Sequence, residues 1–202
     1  MFRIAIILLV LMLAACSGNQ KKVSGSAGVS MTQGQPLPAV VQLSGESMLQ
    51  YKRALKLAKA HQYPEADKIM LSLSADGRAV PWQVFANHGI ILLKQDRPAQ
   101  AEGKFRQALK LKLDVDIQNY LALALRQQGH FRQAERVYLS ALGVDSRHAP
   151  SYKNLAILYE IYLFDYARAK QYYQKYAQLR PTEQSEVRNW LQVIEQRAQV
   201  AN

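Results

Sequence analysis

The chain has one cysteine, Cys16, in 202 residues. A lone thiol excludes an intramolecular disulfide and any site built from several thiolates. Histidine is nearly as scarce. His61, His88, His130 and His148 lie far apart, and no two have the i, i+3 or i, i+4 spacing that sets a pair of imidazoles on one helix face, so no metal site is expected. His130 and His148 read simply as turn residues. Gly-x-Ser-x-Gly and the glycine-rich phosphate loop are missing, which leaves no recognisable nucleophile or nucleotide cradle and no expected cofactor. The longest apolar run, near the N-terminus, falls short of the about 20 residues that a membrane-spanning helix needs. Acidic residues are also in deficit, with 15 Asp and Glu against 26 Lys and Arg and a net charge of +11.

The apolar run is informative in another way. Arg3 precedes it, Ile4 to Leu13 is uninterrupted, and Leu13-Ala14-Ala15-Cys16 closes it, the order of parts in an export signal. This segment resembles the lipobox of bacterial lipoproteins. The resemblance implies that residues 1–15 are removed as a signal peptide and that Cys16 becomes a lipid-bearing N-terminus, and Ser17 in place of aspartate implies delivery to the outer membrane, facing the periplasm. Multiple acyl chains, each worth about 0.8 kcal/mol per buried CH2, would make that anchorage effectively permanent. Residues 16–46, rich in Ser, Gly, Gln and Pro, read as the lipidated cysteine and a flexible tether reaching roughly 30 Å. Its one apolar patch, residues 37–43, has the composition to dock back on the folded region that begins near residue 47.

Beyond the tether the sequence repeats. Ala66, Ala101, Ala134 and Ala169 fall 35, 33 and 35 residues apart. Ala54, Gly89, Ala122 and Ala156 form a second register upstream, and Met70, Phe105, Tyr138 and Tyr173 a third, four residues after each downstream alanine. Paired helices explain all three, because small side chains allow close approach and a large one fills the space a turn later. Turn chemistry such as Gln127-Gln128-Gly129-His130 separates the helices. The pattern resembles the tetratricopeptide repeat family, best seen in Asn154-Leu155-Ala156, Tyr159, Asp165-Tyr166, Ala169 and Tyr172-Tyr173-Gln174-Lys175, ending at Pro181. It implies an all-α, right-handed superhelix of helix hairpins in four units, residues 47–81, 82–114, 115–148 and 149–181. The fourth carries a one-residue insertion near Leu163. After a helix start expected at Thr182, Val187, Trp190, Leu191 and Ile194 recur at helical spacing as a capping helix and tail over residues 182–202.

Seven tyrosines lie between Tyr152 and Tyr176; the repeat accounts for five as packing residues and leaves Tyr162 and Tyr172 unexplained. In the family, partners lie on the concave face of the first helices. There Leu55, Ile90, Leu123 and Ile157 form an aliphatic ladder, flanked by Tyr51, Lys59, Asn87, Lys94, Asn119, Arg126, Lys153 and Asn154 as a polar and basic rim. Such a groove suits an apolar segment bearing acidic residues. Lys104, Arg106, Lys110 and Lys112 form the densest basic cluster, expected on the second helix of the second unit as either a solvated face or a contact for anionic lipid or cell-wall polymer.

Export removes nucleic acid as a partner. The expectation is thus a non-enzymatic, outer-membrane-anchored periplasmic scaffold that binds an envelope protein and assists its assembly or localisation. Its architecture is similar to the pilotin lipoproteins of type IV pilus and secretin biogenesis. A structural adaptor for peptidoglycan enzymes or for an energy-transducing envelope complex is the alternative.

Overall fold

The computed structural model describes residues 42–75 and 79–200; the expected signal peptide, Cys16 and most of the tether lie outside them. Nine α-helices follow one another among the described residues: α1 (Gly45–Lys59), α2 (Tyr63–Leu73), α3 (Trp82–Lys94), α4 (Pro98–Leu111), α5 (Val115–Gln127), α6 (Phe131–Val144), α7 (Ala149–Ile157), α8 (Tyr166–Leu179) and α9 (Gln184–Val200). Each packs against the next as a succession of hairpins, and α1, α3, α5 and α7 also touch one after another, forming a shared first-helix face.

Local chemistry sets the helix starts. Ser44, Asp114 and Asp165 accept hydrogen bonds from backbone amides of the first turns of α1, α5 and α8. Pro64, Pro98 and Pro150 occupy the first turns of α2, α4 and α7, where the missing N–H costs nothing. Within each hairpin the turn passes through one left-handed residue, His61, Asp96, Gly129 or Phe164. The next amide then closes the helix end: Gln62 N–H bonds Leu57 C=O, Arg97 bonds Leu92 and His130 bonds Leu125, at 2.9, 3.0 and 2.9 Å.

The fourth hairpin differs by one residue. Twelve residues separate Ala54 from Ala66, Gly89 from Ala101 and Ala122 from Ala134, but thirteen separate Ala156 from Ala169. The extra residue is absorbed by a π-helical turn, Leu158–Tyr162, continuous with α7. Asp165 N–H therefore closes on Tyr159 C=O, six residues back rather than five, at 2.9 Å.

The small-residue registers lie in the interior. All seven of their alanines are fully buried, as are Met70, Phe105 and Tyr138, with Tyr173 nearly so. Burying a side chain such as Met70 or Phe105 contributes about 1.5–3 kcal/mol. The interior falls into two clusters. A small one joins α1, α2 and part of α3 through Ala54, Ala66, Met70, Leu73, Val80, Val84 and Ile91, and a larger one runs from Ala86 to Ile194. Leu43, the last residue of the apolar patch in the tether, packs on the small cluster.

At the other end Val187 and Ile194 of α9 are buried, and Trp190 packs on Tyr173 and Tyr176 at 5.2 and 6.2 Å between ring centroids. Thr182 does not cap α9. It sits inside a 3-10 turn, Pro181–Glu183, because proline starts that tighter turn before the helix proper begins. No helix among the described residues is long and apolar enough to cross a membrane.

Candidate functional site

Leu55, Ile90, Leu123 and Ile157 each follow the small residue of a first helix, and all four are half-buried. Leu55 packs on the small core cluster, while Ile90 and Ile157 pack on the large one. These three side chains are thus divided between packing on the interior and presenting apolar surface.

The expected polar rim is rearranged by bonds between units. Asn87 Nδ2 donates to the Tyr51 hydroxyl at 2.6 Å, and Asn154 Nδ2 donates to Asn119 Oδ1 at 3.0 Å. These bonds cross from α1 to α3 and from α5 to α7. Asn119 is only 6% exposed, so it is an interior bridge and not a rim residue. Lys153 also departs from the expectation. Its ammonium lies 4.8 Å from the Trp190 ring centroid and 5.3 Å from that of Tyr176, drawn to the aromatic faces at the α9 end.

Three cations of the rim remain beside the ladder without an ion-pair partner among the described residues. Lys59 and Lys94 are exposed in the last turns of α1 and α3, where positive charge also suits the helix dipole, and Arg126 is half-buried in the last turn of α5.

The Lys104 to Lys112 cluster is not a continuous patch. Lys104 lies over the Phe85 ring at 5.7 Å, and burial lowers its pKa. Lys112, the residue after α4, lies over the Trp82 ring at 4.3 Å and pairs with Asp114 at 3.4 Å. Arg106 pairs with Glu102 at 2.8 Å, and Lys110 is exposed on the same helix. Residues two apart on a helix lie about 200° apart around its axis, so Lys104 and Arg106 fall on opposite sides, and the aromatic residues of α3 divide the cluster further. A more coherent basic stripe lies on α1, where Lys52, Arg53, Lys56 and Lys59 share one exposed face with Leu49 and have no ion-pair partner among the described residues. Its i, i+1, i+4, i+7 spacing is readable in the sequence.

The fold brings together a serine, a histidine and an aspartate that the sequence did not single out. His148 Nδ1 lies 2.8 Å from Ser151 Oγ, and His148 Nε2 lies 3.0 Å from Asp116 Oδ1. The spacing resembles a nucleophile activated by a base, but Ser151 is 0% exposed and its hydroxyl is also 3.4 Å from Asn119 Oδ1. No substrate reaches that oxygen in this conformation; the network ties α5 to α7. His148, expected as a simple turn residue, is therefore a buried bridge.

A similar bridge links the first two units. His88 Nε2 lies 2.6 Å from Asp67 Oδ1, and Arg97 bonds the other carboxylate oxygen. Burial lowers the His88 pKa, with the Asp67 bond opposing. Burial works to raise the Asp67 pKa, but the bonds from His88 and Arg97 and their charges outweigh it and hold the carboxyl below its usual range. Of the two tyrosines that the repeat left unexplained, Tyr172 stacks on Tyr159 at 5.4 Å, and Tyr162 packs on Phe131 at 4.7 Å. Burial and the Glu135 bond push the Tyr159 hydroxyl up to about 12.

This succession of hairpins is the tetratricopeptide repeat fold. It is similar to that of YrrB, described as a tetratricopeptide repeat protein with an unusual peptide-binding site, with a TM-score of 0.59 and 19% identity over 67% of this chain and 69% of that one. MamA from Desulfovibrio magneticus RS-1 superposes with a TM-score of 0.68 at 16% identity, over 78% of this chain and 88% of that one. The first such domain of human RPAP3 does so with a TM-score of 0.55 at 19% identity, over 59% and 93%. No family model matches the sequence, and a search of curated proteins finds no match.

Proposed function

We propose that this protein is a non-enzymatic binding scaffold whose first-helix face holds an apolar, acidic segment of another envelope protein and assists that protein's assembly or localisation. The observation that carries the reading is the half-buried ladder Leu55, Ile90, Leu123 and Ile157 beside Lys59, Lys94 and Arg126, cations with no acidic partner among the described residues. Apolar anchors would supply most of the affinity, and the cations would set the charge and orientation of the segment. The peptide site attributed to YrrB lends the fold precedent.

In this reading Cys16 carries lipid, the anchor lies in the outer membrane facing the periplasm, and the tether lets the repeats reach a partner there. A secretin or another component of type IV pilus biogenesis is the leading partner. The test is photo-crosslinking from position 90 in intact cells, followed by identification of the captured protein. Leu123→Asp with Ile157→Asp should abolish capture, and Cys16→Ser should retain capture while moving the complex off the membrane. Capture undiminished by the paired aspartates would overturn the groove.

One observation favours the alternative of an adaptor beside peptidoglycan or an energy-transducing complex: the unpaired stripe Lys52, Arg53, Lys56 and Lys59 on α1 suits an anionic polymer or surface. Glutamate at Lys52, Arg53 and Lys56, with the groove residue Lys59 left in place, should abolish envelope association in that case and leave groove binding intact.

A further inference from the structure

The fourth unit contains a complete three-part arrangement. Glu160, four residues after the small Ala156, accepts from the Tyr173 hydroxyl at 2.9 Å and from Arg197 Nη1 at 2.6 Å. Phenol and guanidinium converge on one buried carboxylate.

One unit earlier the corresponding positions are Arg126, four residues after Ala122, and Tyr138, the counterpart of Tyr173. Arg126 Nε and Nη1 and the Tyr138 hydroxyl are all shielded from solvent, and none has a hydrogen-bond partner. The two groups lie within electrostatic reach of one another. A phenol and a guanidinium are therefore both present, while the carboxylate that joins them in the next unit is not supplied by the described residues. Leaving such donors unbonded in a dry setting is expensive, and a charge-assisted bond formed there is correspondingly strong.

Tyr162 lies against Arg126. Its ring lies 5.6 Å from the guanidinium carbon of Arg126 and packs against Phe131, yet it remains 37% exposed. It belongs to the π-helical turn that the inserted residue creates, a turn type that often marks functional sites.

We propose that Arg126 and Tyr138 form a subsite for one carboxylate, the side chain of an aspartate or glutamate in the bound segment, with Tyr162 closing over it. The inference rests on the groove reading above and narrows it. Lys59 and Lys94 attract negative charge from the open surface, whereas Arg126 and Tyr138 read a single acidic residue in a fixed place. A carboxylate fits better than a phosphate because Glu160 shows that this pair of donors, a tyrosine in the same repeat position and a guanidinium, encloses one.

The test uses the full chain and two fluorescein-labelled peptides, a leucine-repeat amphipathic helix bearing glutamates and its twin with glutamine at every glutamate. The wild-type chain should bind the glutamate peptide about tenfold more tightly than the twin. Arg126→Gln and Tyr138→Phe should each shrink that preference to about threefold or less while leaving affinity for the twin unchanged. Tyr138→Phe removes only a buried unbonded hydroxyl, so the fold should keep its thermal stability and the loss would report binding alone. A full preference surviving in both variants would overturn the subsite and leave the groove standing, its charge preference then residing in Lys59 and Lys94. Failure of either peptide to bind the wild-type chain would overturn the groove reading and the subsite with it.

Discussion

Gly89 faces the ring of Phe105 so closely that a Cβ at position 89 would lie 2.6 Å from the nearest ring carbon. Phe105 is fully buried and cannot swing aside. Alanine, which the other three units carry at this position, therefore does not fit here unless the ring moves. Gly89→Ala gains about 1 kcal/mol of helix propensity but must displace a core ring, which costs about 1–3 kcal/mol or more. Net destabilisation is expected, read as a lower urea midpoint with an unchanged slope. Adding Phe105→Leu should recover most of it, since the smaller side chain makes room.

Phe164 is the opposite case. It stands in the left-handed region at φ 54° and is 68% exposed. A left-handed conformation costs a non-glycine residue about 1–2 kcal/mol, against a smaller entropic penalty for glycine in the unfolded chain. Phe164→Gly should therefore raise stability by about 0.5–1 kcal/mol, measurable as a higher melting temperature. The same change at Asp96 should yield less, because aspartate tolerates this conformation better.

Acid should weaken the joint between the first two units in two stages. His88 has a pKa below its ordinary 6.5, chiefly through burial, so the unfolded chain binds more protons at this site than the folded one. Its contribution is fully present above pH 6.5 and declines as pH falls below that value. Asp67, held below its ordinary 3.8 once the bonds from His88 and Arg97 outweigh burial, adds a second loss as pH falls through its own folded value. Lys104 and Arg97 face the same imidazole and oppose its protonation. Urea denaturation across about pH 5–7 should show stability rising with pH, with a shallower rise in His88→Gln.

Trp190 connects the end of the domain to its binding face. It packs on Tyr173 and Tyr176 and holds Lys153 by a cation–π contact. Trp190→Ala should cost about 2–4 kcal/mol and loosen α9, seen as faster amide exchange in α8 and α9. Released from the ring, Lys153 would become an additional cation on the first-helix face, so binding of an acidic peptide should gain salt dependence.

The packing skeleton was readable because it depends on side-chain size at a fixed interval. Ala54, Ala122, Ala156 and the four downstream alanines are fully buried, and the fold formed around them is the one that the spacing implies. The inserted residue was visible as a count, but whether it would widen a helix or lengthen a loop depended on how Leu158 and Tyr159 bury together. Partner choice was less legible. Periodicity places Lys153, Asn119 and Lys104 on particular helix faces, yet it carries no information about which ring or amide of a neighbouring unit lies within reach. Trp190, Asn154 and Phe85, from other helices, determined those outcomes. The bridging role of His148 was hidden for the same reason, since Asp116 approaches it from 32 positions away.

The unequal division of the interior has a mechanical consequence. The first hairpin is fastened by the smaller cluster and by the polar bonds of Tyr51 and Asp67, while the remaining helices share one continuous interior through to α9. Tension transmitted along the N-terminal segment enters at α1, the end with the fewest buried side chains to resist it. Under load the chain should shed its first hairpin as a separate step and keep the rest intact, so that the hairpin acts as a fuse between the point of attachment and the face that holds a partner.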